Sequence, residues 1–139
     1  MITYTDDLHG VLPEHLGGFF EGWPKPPSPE THLRILRGSS HFVLAVAPDG
    51  QVVGFVTAIS DGVLNAYLPL LEVLPTHRHQ GIATELVSRL LAHLGDLYAI
   101  DLHCDADVQP FYESLGLRVM GGMGLRNYAM QAGRNADEK

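Results

Sequence analysis

Apolar residues recur along the chain with two different periods, and the change of period separates a β-rich half from a strand–helix–strand half. Leu16, Phe19, Phe20 and Trp23 fall at helical spacing, which predicts a short N-terminal helix despite Gly17 and Gly18. The proline-rich loop from Trp23 to Ser28 follows. Ser28 then reads as a cap, Pro29 as a first helical residue and Gly38 as a terminator, with Leu33 and Leu36 on one face of the helix between them. Phe42 to Ala47 and Val52 to Ile59 are apolar and rich in β-branched residues, and they flank the turn Pro48-Asp49-Gly50. Together they predict a hairpin. A third run, Val63 to Leu74, is interrupted by Pro69. A proline has no N–H for a central ladder, so that position implies an edge or a bulge.

From Gln80 to Leu94 the period becomes helical. Ile82, Leu86, Leu90 and Leu94 form one stripe, Ala83, Val87 and Leu91 lie beside it, and Glu85, Arg89 and His93 fall opposite. Gly95 is placed to end this helix. Tyr98 to His103 predicts a strand, and Asp107 to Leu115 a short helix with Asp107 as cap, Pro110 in the first turn and Gly116 at the end. A last strand is expected near Leu125 to Met130. The strand–helix–strand unit implies one parallel pair within an otherwise antiparallel sheet. A single domain over residues 1–131 and a frayed polar tail over 132–139 complete the expectation.

Composition narrows the functions open to such a domain. With 139 residues, 45% of them hydrophobic, the chain can bury a core without disulfides or a structural metal. No apolar run reaches the roughly 20 residues of a membrane span, and the N-terminus lacks the basic start and apolar stretch of a signal peptide. Cys104 is the sole cysteine, which suits a reducing compartment, so a cytoplasmic location is expected. The formal charge of −7 argues against binding nucleic acid and favours small or cationic partners.

The most informative stretch is Leu71 to Leu86, where a strand ends, a polar turn follows and a helix opens at a glycine. Free amides at a helix start, its positive dipole end and a flanking arginine make an anion site, and Gly81 lets a phosphate come close. There is no Gly-Lys-Ser/Thr ending and only one glycine, so neither a P-loop nor a dinucleotide fingerprint is present. On these residues alone, an ordinary strand-to-helix turn with a solvated arginine stays equally open. The segment Arg78-His79-Gln80-Gly81-Ile82-Ala83 resembles the Arg/Gln-x-x-Gly-x-Gly/Ala motif of the GCN5-related N-acetyltransferases (GNAT). The preceding Val73-x-Pro75 is similar too, as is Phe111-Tyr112-Glu113-Ser114-Leu115-Gly116-Leu117 downstream.

That resemblance implies an α/β (α+β) fold with a mixed, mostly antiparallel sheet flanked by helices. It also implies acetyl transfer from acetyl-CoA to an amine by direct attack in a ternary complex. Leu71 and Val73 would pair with the pantetheine through their main chains. Residues Arg78, His79, Gln80, Gly81, Ile82, Ala83 and Thr84 would hold the pyrophosphate. Asp105 stands where the family usually has Asn, and an ionised carboxylate donates no hydrogen bond. Tyr112 matches the family's general acid. Glu72 is the general-base candidate, or else a carboxylate facing solvent or a neighbouring histidine. Trp23, Asp101 and Tyr128, with Arg126 nearby, could line the acceptor pocket or serve only the structure. The acceptor class is a small-molecule or peptide amine, and a homodimer is the default assembly. A silent acyl-CoA-binding or sensor domain is the rival reading. His77, His79, His103 and Cys104 suggest a metal, but the closely paired ligand spacings are missing and no metal is expected.

Overall fold

The computed structural model describes residues 1–135. Among the described residues there are six strands: β1 (Thr3–Thr5), β2 (His41–Val46), β3 (Val52–Ser60), β4 (Asn65–Tyr67), β5 (Leu71–Val73) and β6 (Ala99–Asp101). Three α-helices accompany them: α1 (Pro29–Gly38), α2 (Ile82–His93) and α3 (Gln109–Glu113). The sheet runs β1-β2-β3-β4-β6, antiparallel except for the parallel pair β4–β6, and β5 pairs with β3 beside β4. The mixed α+β architecture is the one expected.

The hairpin β2–β3 organises the core. Its register slips once, with Ala45 opposite Gly54 but Val46 opposite Val52, so Val53 is the extra residue of a bulge. Beyond the bulge, Gly54, Val56 and Ala58 face α2, where Ile82, Leu86, Val87 and Leu90 pack. Phe55 faces the other way, onto Leu16, Phe19, Phe20, Leu33 and Leu36. Gly54 sets how close α2 can come, because a Cβ there would lie 3.1 Å from Leu86 Cδ1. The cap of α1 is also as predicted: the Thr31 amide donates to Ser28 Oγ at 3.1 Å.

Four expectations are corrected. The helix over Leu16–Trp23 is absent: a 3-10 turn spans Pro13–Leu16, and the chain then runs as a loop with Gly18 and Gly22 at positive φ. Phe19 and Phe20 are buried all the same, as neighbours in a loop rather than as one helical face. Asp107 caps nothing with its side chain; it sits inside a 3-10 turn, Ala106–Val108, that leads into α3. The strand over Leu125–Met130 is also absent. Residues 118–127 carry no regular structure, and Tyr128–Met130 is a 3-10 turn. The tail is held further than expected, since Arg34 donates to the Arg134 carbonyl at 2.8 Å. Its last residues, 136–139, lie outside the described residues.

His32 is buried in the aromatic half of the core, 4.3 Å from the Phe55 ring centroid, with neither ring nitrogen hydrogen-bonded. Burial disfavours the charged imidazolium and holds its pKa down to about 4. The unfolded chain, with an ordinary histidine near 6.5, therefore takes up a proton before the folded chain does. His32 costs no stability from this source above about pH 6.5, and the cost grows as pH falls towards 4. Replacing it, His32→Leu, should flatten that acid limb in melting temperatures measured between pH 7.5 and 4. An unchanged slope would show that His32 does not titrate on unfolding.

Candidate active site

The break in the third apolar run creates the site. β4 and β5 lie along the same side of β3, joined through Leu68-Pro69-Leu70. Only β4 is carried on to β6, through Leu68 N–H to the Asp101 carbonyl at 2.9 Å. β5 therefore diverges from β6. Thr57 N–H bonds Leu70 O and Leu74 N–H bonds Val53 O, which makes Glu72 the hydrogen-bonded partner of Phe55. By strand alternation, the main-chain groups of Leu71 and Val73 face away from β3, towards the opening.

A cleft of about 380 Å³ occupies this opening. It is lined by Phe20 and Trp23 from the early loop, Phe55, the bulge through Leu71 and Glu72, and His103, Cys104 and Asp105 after β6. A wider depression of about 520 Å³, bordered by Asp6, Asp7 and Arg37, contains none of the predicted residues. The splayed strands thus bring together Trp23, Leu71, Glu72 and Asp105. Asp101 and Tyr128 are exposed and stand outside the lining, with Tyr128 in the 3-10 turn near the C-terminus.

Glu72 is fixed from the far side of the sequence. Its Oε1 accepts the Phe20 amide at 2.8 Å and its Oε2 accepts the Glu21 amide at 3.3 Å. Phe20 has φ of 63°, a strained value for an aromatic residue, and the carboxylate holds the loop in that conformation. Arg78 closes the same network: its Nε donates to the Val73 carbonyl at 3.0 Å and its Nη2 meets Glu21 Oε2 at 2.6 Å. Its guanidinium therefore braces β5 and the early loop rather than facing the following turn. Leu71, both in N–H and in C=O, and the Val73 N–H remain for a strand-like ligand.

The turn itself fits an anion. His79 (φ 63°) and Gly81 (φ 80°) both take the left-handed conformation, and Gly81 caps α2. The first intrahelical bond runs from Glu85 N–H to Gly81 O. The amides of Ile82, Ala83 and Thr84 consequently have no partner within the helix. Nothing lies within 4 Å of where a Gly81 Cβ would stand. Partner-less amides, the helix dipole and open space are what a pyrophosphate requires.

Tyr112, on α3, packs beside Phe111 against the α2 side of the core. Burial, with a smaller effect of Cys104 nearby, pushes its pKa up to about 12, so it stays a neutral donor. Tyr112 itself is not among the residues that line the cleft; Cys104 is. One feature escaped sequence reading: Tyr67 Oη and His103 Nδ1 form a 2.6 Å hydrogen bond at the cleft wall. Tyr67 ends β4 and His103 lies two residues beyond the end of β6, a proximity that only the parallel pairing creates. Among the described residues no group of three or more His, Cys, Asp or Glu side chains is placed to hold a metal ion.

The acetyltransferase (GNAT) family model matches residues 8–117. The chain belongs to the GNAT family. A Deinococcus radiodurans protein described as an acetyltransferase is 57% identical over 97% of this chain and 94% of its own, with a TM-score of 0.96. A GNAT family acetyltransferase of Streptococcus pneumoniae is 26% identical over 91% of this chain and 98% of its own, with a TM-score of 0.70. GCN5-related N-acetyltransferase 3, chloroplastic, of Arabidopsis thaliana shares 39% identity over 70 residues. That match spans 49% of this chain and 30% of the Arabidopsis protein. Acetyl transfer is the general activity of this GNAT family, and no helix among the described residues is long and apolar enough to cross a membrane.

Proposed function

We propose that this GNAT protein transfers the acetyl group of acetyl-CoA to a cationic amine by direct attack in a ternary complex. The observation that carries the reading is the cleft at the β5–β6 splay. It joins an outward-facing strand edge to two carboxylates, Glu72 and Asp105, and no Lys or Arg lines it. Such a wall concentrates and orients ammonium groups. A lone free thiol, Cys104, suits a cytoplasmic enzyme.

Acetyl-CoA, when bound, supplies the thioester carbonyl carbon and a thiol leaving group. Leu71 and Val73 would hold its pantetheine through their main chains, and the amides from His79 to Thr84 its pyrophosphate. Glu72 takes the ammonium proton, which frees the nitrogen lone pair to form the new C–N bond. Two of its lone-pair sites are held by the Phe20 and Glu21 amides, which leaves two free for that task. Tyr112 donates to the sulfur as the C–S bond breaks and the electron pair departs with it. Trp23 and Asp105 border the acceptor. Asp101 and Tyr128, outside this lining, would act on the acceptor only at its distal end.

Thiol release from acetyl-CoA, measured over a panel of cationic, neutral and acidic amines, tests the reading. Cationic acceptors should exceed acidic ones by at least about tenfold in kcat/KM, on the order of one ion pair. A preference for acidic acceptors would overturn the charge argument. Binding of acetyl-CoA with no thiol release for any amine would favour the silent binding domain.

A further inference from the structure

We infer that Arg78, the first residue of the Arg78–Ala83 motif, works on the acceptor side of the cleft: with Glu21 it clasps the Phe20–Trp23 loop to β5, and the two are positioning residues for the acceptor. The inference rests on the reading of the cleft proposed above, in which this loop borders the acceptor.

The loop needs a tether. Residues 17–28 form no helix or strand, and Gly18 (φ 91°) and Gly22 (φ 83°) stand on either side of Phe20, which is itself at φ 63°. Such a segment has many conformations open to it, and holding one of them costs entropy. The one observed builds a wall of the cleft. Phe20 is buried, the Trp23 ring packs on it with centroids 5.0 Å apart, and both line the opening. Apolar packing secures Phe20 from below, but it does not hold Glu21, whose side chain is 53% exposed.

The tether comes from β5 and the turn after it. Glu72 receives the Phe20 and Glu21 amides, and Arg78 grips the loop a second time. Its Nε is committed to the Val73 carbonyl and its Nη2 to the Glu21 carboxylate, 57 residues away in the chain. Both donors belong to one planar, rigid group, so Glu21 is fixed in place relative to the strand that carries Glu72. A guanidinium used in this way is not needed at the anion turn, where the Ile82, Ala83 and Thr84 amides and the helix dipole already provide for a phosphate. The motif then divides its labour. Its amides serve the cofactor, and its arginine keeps Phe20 and Trp23 where an acceptor meets them.

Arg78→Met and Glu21→Ala change partly exposed side chains and so test this without disturbing the core. Both variants should keep the wild-type circular dichroism and bind acetyl-CoA, in calorimetry without acceptor, within about twofold of wild type. For the amine of the above panel with the highest kcat/KM, KM should rise about tenfold in Arg78→Met and about fivefold in Glu21→Ala, with a smaller change in kcat. The double variant should be no worse than Arg78→Met, because both changes break one pair. Glu21→Gln keeps an oxygen for Nη2 and should recover part of the loss. Trp23, the sole tryptophan, reports on the loop directly. In both variants its emission should shift to the red, and acrylamide should quench it more readily. Acetyl-CoA bound about tenfold more weakly by Arg78→Met would put the guanidinium on the phosphate and overturn the inference. An unchanged acceptor KM in both variants would overturn it equally. The two readings fail separately: a wild type that acetylates no amine removes the proposed function, whereas Trp23 emission unaltered in both variants removes the clasp, whether or not any amine reacts.

Discussion

Replacing Tyr112 by phenylalanine should lower turnover about 10²–10⁴-fold while leaving acetyl-CoA affinity nearly unchanged. The substitution keeps the ring, which packs beside Phe111 and against the α2 side of the core, and removes the hydroxyl alone. A phenol held near pKa 12 by burial does not hand its proton spontaneously to a thiolate whose conjugate acid lies near 8.5. What it offers the developing thiolate is a strong, preorganised hydrogen bond, and the proton crosses only as the C–S bond opens. The same burial means that the hydroxyl stays protonated through the working pH range, so no loss of the acid should appear in kcat below about pH 10. The stability linkage runs the other way from that of His32. Because the folded pKa lies above the ordinary 10, the stabilisation is complete below about pH 10 and is lost between 10 and 12. Tyr112→Phe should therefore also remove an alkaline limb from the melting curve. Turnover near that of wild type, measured where chemistry limits the rate, would leave Tyr112 a packing residue.

The parts of the molecule legible from sequence are those whose physics is local. The Ser28 cap and Pro29 define α1, the Pro48-Asp49-Gly50 turn defines the hairpin, and the Ile82–Leu94 stripe defines α2. The proline at 69 marked the bulge from which β5 departs, because a missing N–H is a local fact. The Tyr112 motif was legible only through its resemblance to the family. What escaped depends on partners far away in the chain. Leu16, Phe19, Phe20 and Trp23 imitate a helical period, yet the Phe20 backbone is held at φ 63° by Glu72, 52 residues later. No periodicity shows that Arg78 would turn back to the Val73 carbonyl and Glu21. The pairing of Tyr67 with His103 follows from the parallel register of β4 and β6, which only the crossover through α2 creates. The strand expected near Leu125 is missing because no neighbouring strand among the described residues pairs with it, and a ladder partner is not a local fact.

The cofactor turn gives the second large effect, and its argument rests on Gly81. With φ of 80° this residue places the Ile82, Ala83 and Thr84 amides at the mouth of the turn, and no protein atom lies within 4 Å of a Cβ built there. Any loss on substitution is therefore a loss of backbone conformation or of ligand space, not a clash with the protein. Two variants separate these causes. Gly81→Val meets both: a β-branched residue in the left-handed region costs about 1–2 kcal/mol of stability, and its side chain stands in the phosphate's path. Gly81→Asn tolerates the left-handed backbone, and its side chain can itself accept from the N2 or N3 amide as a cap, so the unliganded fold should keep its stability. In the wild type, acetyl-CoA at 100 times its dissociation constant should stabilise the fold by about 2.7 kcal/mol. Both variants should lose most of that shift at the same concentration, in calorimetric or dye-monitored melting. Gly81→Asn carries the decision, because it fills the anion site without disturbing the turn. If it bound acetyl-CoA as tightly as the wild type, the pyrophosphate would have to rest somewhere other than on these amides.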